Sequence, residues 1–289
     1  MQTIPLDSGW QLKQVFPGQV LDAASANDQE WIPAQAPGTV HQDLIAAGRI
    51  PDPFYGQNEK QVQWVGEQDW LYRCVFELPK TLLEEPFVDL CLDGLDTVAS
   101  MYLNGKLLLQ GDNMFVPYRL PVRDQVKPGS NELSILFESA WRVGRERQLQ
   151  HGSLKVWNTD PSRVYMRKAQ YHYGWDWGPT LITAGPWRPV YLQAYSARVE
   201  DIYCPAEVSA DLSQATLPVH VDLAGSLAGA QVLVSLQDPQ GQPVAENWMT
   251  AAAHIEHDSD HFSSRSRSHH SIGARRTVSA QTQAARVSL

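Results

Sequence analysis

The 289-residue sequence has few of the features that mark membrane, nucleic-acid-binding or secreted proteins. Basic residues are outnumbered, 23 Lys and Arg against 32 Asp and Glu, and the net charge of −9 repels nucleic acids and anionic membranes. No run approaches the ~18 apolar residues of a membrane span, and residues 1–10 carry neither a basic nor an apolar targeting segment. We therefore expect no nucleic-acid partner, no membrane partner and a soluble cytoplasmic protein.

Cysteine is also scarce. Cys74, Cys91 and Cys204 are odd in number and far apart, which fits neither a disulfide framework nor the spacing of zinc ligands. Free cysteines of this kind are usually buried as small apolar side chains. A glycine-rich phosphate loop is missing as well. We predict reduced thiols, no metal site and no cofactor.

Helical periodicity is rare before residue 196, where short β-rich runs recur between turn signals. The runs span residues 70–76, 88–92, 99–103, 133–137 and 189–192. Asn104-Gly105 predicts a two-residue β-hairpin turn, and the one convincing helix lies over residues 39–47 and stops at Gly48. This pattern predicts an all-β fold, with a jelly-roll or β-sandwich domain over residues 1–195.

A second β-rich segment follows over residues 196–250. Strands are predicted at 199–203, 216–223, 232–236 and 244–248. An immunoglobulin-like sandwich needs ~100 residues and about seven strands. We therefore predict a truncated immunoglobulin-like sandwich with exposed sheet edges.

Composition changes sharply after residue 250. Of the 27 aromatic residues only Phe262 lies beyond that point, whereas five of the nine histidines do. The stretch shows no apolar period, so residues 251–289 are predicted to be disordered. A histidine metal site and a native linker or interaction tail are two interpretations of it. We favour a third, in which it is out-of-frame translation after a truncated coding region.

The most informative motif is Trp175-Asp176-Trp177, which packs two indoles around one carboxylate. An aromatic face stacks on the C–H face of a sugar, and a carboxylate accepts hydrogen bonds from sugar hydroxyls. Gly174 and Gly178 flank the triplet and place it on a shaped loop rather than in a helix. The alternative is that both tryptophans lie in the sandwich core on one strand face, with Asp176 in water.

Several motifs in order resemble the N-terminal domain of β-mannosidases of glycoside hydrolase family 2. They are Ala36-Pro-Gly-Thr-Val-His-Gln-Asp-Leu-Ile45, Ile50-Pro-Asp-Pro-Phe-Tyr-Gly-Gln-Asn-Glu59, Leu92-Asp-Gly-Leu-Asp-Thr97, Tyr102-Leu-Asn-Gly105, Asn113-Met-Phe-Val-Pro-Tyr118 and Gln170 through Pro179. The resemblance implies a modular enzyme in which a sugar-binding domain and an immunoglobulin-like sandwich precede a TIM barrel. It also implies that Trp175, Asp176 and Trp177 help to hold the terminal mannose.

The resemblance places both catalytic glutamates of a retaining glycosidase on the barrel, the acid/base after an asparagine. Asn-Glu occurs here at Asn58-Glu59 and Asn131-Glu132. We interpret both as surface turn chemistry and assign no catalytic residue in this chain. His41 is predicted to be structural. Lys168, like its neighbour Arg167, is expected either to pair with acidic groups of the barrel or to be solvated.

Two functions follow. The first is an N-terminal fragment of a β-mannosidase, which hydrolyses terminal non-reducing β-D-mannose, with the fragment inactive alone. The second is a non-catalytic, lectin-like module that binds mannosides through Trp175, Asp176 and Trp177. In both, the partner is a β-mannoside oligosaccharide, bound weakly without a barrel. The sequence predicts no oligomeric state.

Overall fold

The structure is a computed structural model that describes residues 1–16, 31–157, 160–213 and 215–250. The predicted disordered tail over residues 251–289 therefore lies outside the described residues. The chain divides into one unit of residues Gln2–Ala194 and a second that begins at Tyr195. Each unit is described by itself.

The first unit is built from antiparallel strands. They are β1 (Gln2–Pro5), β2 (Trp10–Val15), β3 (Ile32–Pro33), β4 (Asp69–Leu78), β5 (Phe87–Leu92), β6 (Val98–Leu103), β7 (Lys106–Gly111), β8 (Tyr118–Pro121), β9 (Gly129–Glu138), β10 (Tyr173–Trp175), β11 (Gly178–Thr180) and β12 (Val190–Tyr195). One sheet has the order β3-β2-β4-β9-β6-β7 and another the order β1-β12-β5-β8, while β10 and β11 pair only with each other. The all-β prediction is confirmed.

Alternating side chains make the core between these sheets. On β4, Tyr72 and Cys74 are buried while Val75 between Cys74 and Phe76 is exposed. Successive residues of a strand point to opposite faces, so this pattern buries one face and leaves the other toward water. The same core contains Ile135 from β9 and Leu90 from the other sheet. The two sheets therefore share one apolar layer, as a sandwich requires.

Helices are few but more extensive than the sequence predicts. The predicted helix is present as α1 (Val40–Ala46), but a 12-residue helix, α2 (Ala140–His151), is not anticipated. Only Ala140, Val143 and Gly144 of α2 are buried, so this segment of the sequence lacks the broad apolar stripe that indicates an amphipathic helix. In the part of the chain that the structure describes, five short 3-10 helices span Asn58–Gln61, Gln63–Glu67, Lys80–Glu84, Pro161–Tyr165 and Gln170–His172. Of the helices in the described ranges, none is long and apolar enough to cross a membrane.

The second unit consists of two-stranded ribbons. Its strands are β13 (Ala197–Tyr203), β14 (Glu207–Val208), β15 (Ala215–Thr216), β16 (His220–Gly225), β17 (Gln231–Gln237) and β18 (Pro243–Thr250), paired as β13-β16, β14-β15 and β17-β18. A small cluster of Val221, Leu223 and Leu227 forms its buried centre. The truncated immunoglobulin-like sandwich over residues 196–250 stays a prediction.

The alternation on β4 and β9 leads to a test of the core. Replacing buried Ile135 by Ala should lower the free energy of unfolding by about 2–5 kcal/mol, because the lost contacts leave a cavity. The exposed Val75→Ala serves as control and should change it by less than about 0.5 kcal/mol. Urea denaturation followed by tryptophan fluorescence measures both. Equal effects of the two substitutions contradict the assigned burial.

Candidate functional site

The predicted sugar-binding triplet lies at the tip of a short β-hairpin. Trp175 ends β10 and is paired with Gly178 at the start of β11, and Tyr173 is paired with Thr180. Asp176 and Trp177 therefore form a two-residue turn between the strands. The prediction that this motif lies on a loop rather than in a helix is confirmed.

The two tryptophans of the triplet are not core residues. Trp175 is 40% exposed and Trp177 is 84% exposed, and the Asp176 side chain is exposed between them. Their indole rings are 5.8 Å apart at 63°, an edge-to-face arrangement. The alternative that both lie in the sandwich core is wrong, because β10 and β11 pair only with each other and belong to neither sandwich sheet.

A third tryptophan joins this pair without having been predicted. Trp157 is 78% exposed, and its ring centroid lies 6.0 Å from that of Trp175. It comes from the segment after α2, which in sequence shows only isolated apolar residues among polar ones. A lone exposed tryptophan has no periodic signal, so only the folded chain shows its place. The three indoles form one apolar surface next to the Asp176 carboxylate, which we call the tryptophan tip (Trp157, Trp175, Asp176 and Trp177).

Gly174 allows the hairpin to turn sharply behind the tryptophan tip. Its φ is +86°, a region that side chains with a Cβ rarely adopt. A Cβ at this position would stand 2.5 Å from Oγ1 of Thr180, which in turn donates a hydrogen bond of 3.2 Å to the Tyr173 carbonyl. Both the backbone angle and the available space therefore require glycine here.

Two side chains from the 3-10 helices before β4 hold β11 from the side. The Thr180 amide donates a 2.8 Å hydrogen bond to Oε1 of Glu59, and Nε2 of Gln63 donates to the Thr180 carbonyl at 2.8 Å. The interpretation of Asn58-Glu59 as surface turn chemistry is wrong for Glu59. Its carboxylate is partly buried and braces the hairpin across 121 residues of sequence.

The second Asn-Glu pair does have turn chemistry. Nδ2 of Asn131 donates to the carbonyls of Lys127 and Gly129 at 2.7 and 2.9 Å, which closes the turn before β9. The Glu132 carboxylate accepts a 3.1 Å hydrogen bond from the Ser134 hydroxyl on the same strand. Glu59 thus makes a long-range structural contact and Glu132 a local one, and neither contact resembles the paired carboxyl groups that a retaining glycosidase needs.

A buried ion pair lies at the base of the hairpin. Lys168 donates to both carboxylate oxygens of Asp96, and the two side chains are 0% and 1% exposed. Lys168 also donates 2.9 Å to the Thr183 carbonyl, and the hydroxyls of Thr183 and Thr97 donate to the Asp96 carboxylate. Both expectations for Lys168, solvation and pairing with a barrel, are therefore wrong. Its neighbour Arg167 pairs with Asp112 instead.

Burial decides the ionisation of the groups around this ion pair. It raises the cost of charging Asp96, but the charge of Lys168 and the hydrogen bonds outweigh that cost and hold the pKa of Asp96 below its usual value. Burial, followed by the positive charge of Lys168, lowers the pKa of both His41 and His172 to about 4. Nδ1 of His41 is buried and has no hydrogen-bond partner among the described residues. His41 is neutral near pH 7 and belongs to the interior, as a structural histidine does.

Comparison with known proteins assigns the family. The family model described as "Glycosyl hydrolase 2 galactose-binding domain-like" matches residues 10–188. The chain belongs to glycosyl hydrolase family 2. It is 46% identical over 219 residues to "Beta-mannosidase B" of Thermothelomyces thermophilus and 38% identical over 246 residues to "Beta-mannosidase B" of Aspergillus terreus. These matches cover 75% and 83% of this chain but only 24% and 28% of the relatives.

A solved structure agrees with the sequence matches. The crystal structure of β-D-mannosidase from Dictyoglomus thermophilum superimposes with a TM-score of 0.75 and 35% identity, covering 86% of this chain and 29% of that one. The resemblance stated from the motifs is thus confirmed. The chain matches the N-terminal part of family 2 β-mannosidases and spans about a quarter of the length of the curated relatives.

The buried histidines predict a pH dependence of stability. Because the pKa of His41 and of His172 falls to about 4 in the folded chain from 6.5 in the unfolded chain, the unfolded chain binds more protons between these values. Stability is therefore lost as pH falls from 6.5 toward 4. Asp43 opposes this, because burial raises its pKa to about 6, but it is one group against two. We expect a net loss on the order of 2–4 kcal/mol between pH 7 and 4.5.

Urea unfolding at several pH values measures this dependence. The double variant His41→Gln/His172→Gln should show a flatter curve than the wild type between pH 6.5 and 4.5. His151→Gln, at the exposed end of α2, is the control and should leave the slope unchanged. A wild-type stability that rises on acidification would show that Asp43, and not the histidines, dominates.

Proposed function

We propose that this chain supplies the mannose-contacting hairpin of a β-mannosidase, an enzyme that removes terminal β-D-mannose from the non-reducing end of oligosaccharides. The observation that carries the proposal is the tryptophan tip, in which exposed indoles flank one exposed carboxylate on a braced hairpin. Indole faces stack on the apolar face of a sugar ring, and the Asp176 carboxylate accepts hydrogen bonds from its hydroxyls. Because the relatives are named β-mannosidase, we infer that mannose is the sugar that binds at the tip.

Each member of the tip has a distinct task in this proposal. Trp177, the most exposed of the three, offers its face to the sugar. Trp175 packs between Trp157 and Trp177, at 6.0 and 5.8 Å, and keeps the exposed rings in place. Asp176 lies on the two-residue turn, where its side chain is exposed and accepts hydrogen bonds from the sugar. A general carbohydrate-binding role for this domain agrees with the match to a galactose-binding-like family.

Hydrolysis is assigned to other residues of the longer protein. A retaining glycosidase needs two carboxyl groups ~5–5.5 Å apart. Glu59, on the 3-10 helix Asn58–Gln61, accepts a hydrogen bond from the Thr180 amide, and Glu132, on β9, accepts one from the Ser134 hydroxyl. We therefore propose that this chain positions the terminal mannose, while carboxyl groups in the remaining three quarters of a β-mannosidase cleave the bond.

A second function remains a candidate because the tryptophan tip does not depend on any catalytic group. The hairpin is held by Glu59, Gln63 and the buried ion pair, all within the first unit. The same tip can act as a lectin-like module that binds mannosides without cleaving them. Binding should be weak in either case, because one hairpin covers far less than the ~70–90% of ligand surface that a complete site buries.

The proposal predicts which substitution abolishes sugar binding. Asp176→Ala should weaken the binding of methyl β-D-mannoside to this chain at least tenfold, about 1.4 kcal/mol, because the carboxylate acceptors are lost. Isothermal titration at millimolar sugar measures the affinity. The exposed Asp124→Ala removes a carboxylate from a turn elsewhere in the same unit and should leave binding unchanged. Equal affinities of the wild type and Asp176→Ala would remove Asp176 from the site.

A hydrolysis assay tests whether the catalytic carboxyl groups lie outside this chain. We expect the purified chain to release no nitrophenol from p-nitrophenyl β-D-mannoside, since neither Glu59 nor Glu132 is placed to act in a carboxyl pair. The complete "Beta-mannosidase B" of Thermothelomyces thermophilus serves as the positive control. Turnover by the chain that survives Glu59→Gln and Glu132→Gln would show that other carboxyl groups of this chain catalyse the hydrolysis.

A further inference from the structure

The hairpin that carries the tryptophan tip is too short to fix its own position. β10 and β11 have three residues each and are joined by a two-residue turn. Isolated two-stranded hairpins are at best marginally stable in water, so the orientation of this one has to come from outside it. The chain enters the hairpin after Lys168 and leaves it before Thr183, and these two residues meet at Asp96.

Asp96 lies in the segment between β5 and β6, which belong to different sheets of the sandwich. The Asp96 carboxylate accepts from Lys168 Nζ and from the Thr183 hydroxyl, and Lys168 Nζ also donates to the Thr183 carbonyl at 2.9 Å. One buried carboxylate thus accepts hydrogen bonds from a residue in the segment before the hairpin and from a residue in the segment after it. No water can replace these hydrogen bonds in the interior, so a shift of either segment would leave a buried charge without its partner.

The energetics of buried ion pairs favour a positional role over a purely stabilising one. Replacing such a pair by neutral side chains of similar size is often neutral or even stabilising, since two charges no longer lose their hydration. Charged hydrogen bonds require a defined orientation of donor and acceptor, whereas apolar contacts do not. Both Asp96 and Lys168 are fully buried, so solvent does not compete for these hydrogen bonds.

We propose that Asp96 and Lys168 are positioning residues for mannoside binding, which fix the tryptophan tip by joining both ends of its hairpin to the sandwich. This inference rests on the proposed function. Asp96 and Lys168 themselves lie at the hairpin base and are fully buried, whereas the sugar is bound at the exposed tip. Their effect on binding is therefore transmitted through Thr183 and the hairpin strands.

The test is the double variant Asp96→Asn/Lys168→Met, which removes both charges together and leaves no buried charge unpaired. We expect its melting temperature to stay within about 4 °C of the wild type. Affinity for methyl β-D-mannoside should fall at least about tenfold. The part of the circular-dichroism exciton signal that Trp157→Phe removes should also weaken, because it depends on the mutual angle and distance of Trp157 and Trp175. Trp64 and Trp70, whose rings are 6.0 Å apart, contribute to the remainder.

The control is a second ion pair with a buried carboxylate, Asp69 with Arg142, whose side chains are 3% and 27% exposed. Nη2 of Arg142 donates to both oxygens of Asp69 at 2.9 Å, and the pair joins β4 to α2. The double variant Asp69→Asn/Arg142→Met should leave sugar affinity unchanged, whatever its melting temperature. Loss of binding in both double variants would overturn the assignment to Asp96 and Lys168.

The other outcomes of these experiments also test the positioning role of Asp96 and Lys168. A double variant that keeps both affinity and exciton signal refutes the positioning role. If that variant does not fold, Thr183→Val serves instead, because it removes one hydrogen bond to Asp96 and keeps the ion pair. Thr183→Val should weaken the exciton signal at an unchanged melting temperature. An unchanged exciton signal in Thr183→Val refutes the positioning role. If the wild-type chain binds no mannoside, the proposed function fails, and the exciton signal alone judges the positioning.

Discussion

The shared apolar layer between the two antiparallel sheets is the constraint on which the rest of the first unit depends. Strands such as β4 and β9 place most of their buried side chains in this layer, and the segments that connect the strands carry the polar chemistry. Glu59, Gln63, Asp96 and Lys168 all lie in such connections. The part of the chain between β9 and β12 adds a small cluster of buried apolar side chains, which includes Met166, Tyr173 and Ile182. The geometry of the connections otherwise follows from where the packed strands begin and end.

Much of the fold could be predicted because its signals are local. Alternation over residues 70–76 indicates a strand, and a short apolar run ending at Gly48 indicates α1. α2 was missed because its buried face is narrow, with Ala140, Val143 and Gly144 in place of a broad apolar stripe. Local patterns report local structure, and α2 is held largely by tertiary contacts such as Arg142 with Asp69.

The candidate site could be predicted only in part, for the same reason. Two tryptophans around an aspartate suggest sugar binding from the sequence alone, and the flanking glycines predict their turn. The supports of that turn were not predictable. Lys168 meets Asp96 across 72 residues and Glu59 meets Thr180 across 121, and no spacing rule connects residues so far apart. Trp157 joins the tip through the same kind of long-range contact.

The position of Asp96 links the packing of the sandwich core to the hairpin that carries the tryptophan tip. Asp96 belongs to the crossover from β5, in one sheet, to β6, in the other, so its position depends on the distance between the two sheets. A core side chain that gains or loses a methyl group changes that spacing slightly even where the chain stays folded. Because Asp96 also binds Lys168 and Thr183, such a change is passed to both segments that flank the hairpin. Under the proposed function, substitutions in the buried core that leave the fold intact should therefore still alter how the hairpin meets a sugar.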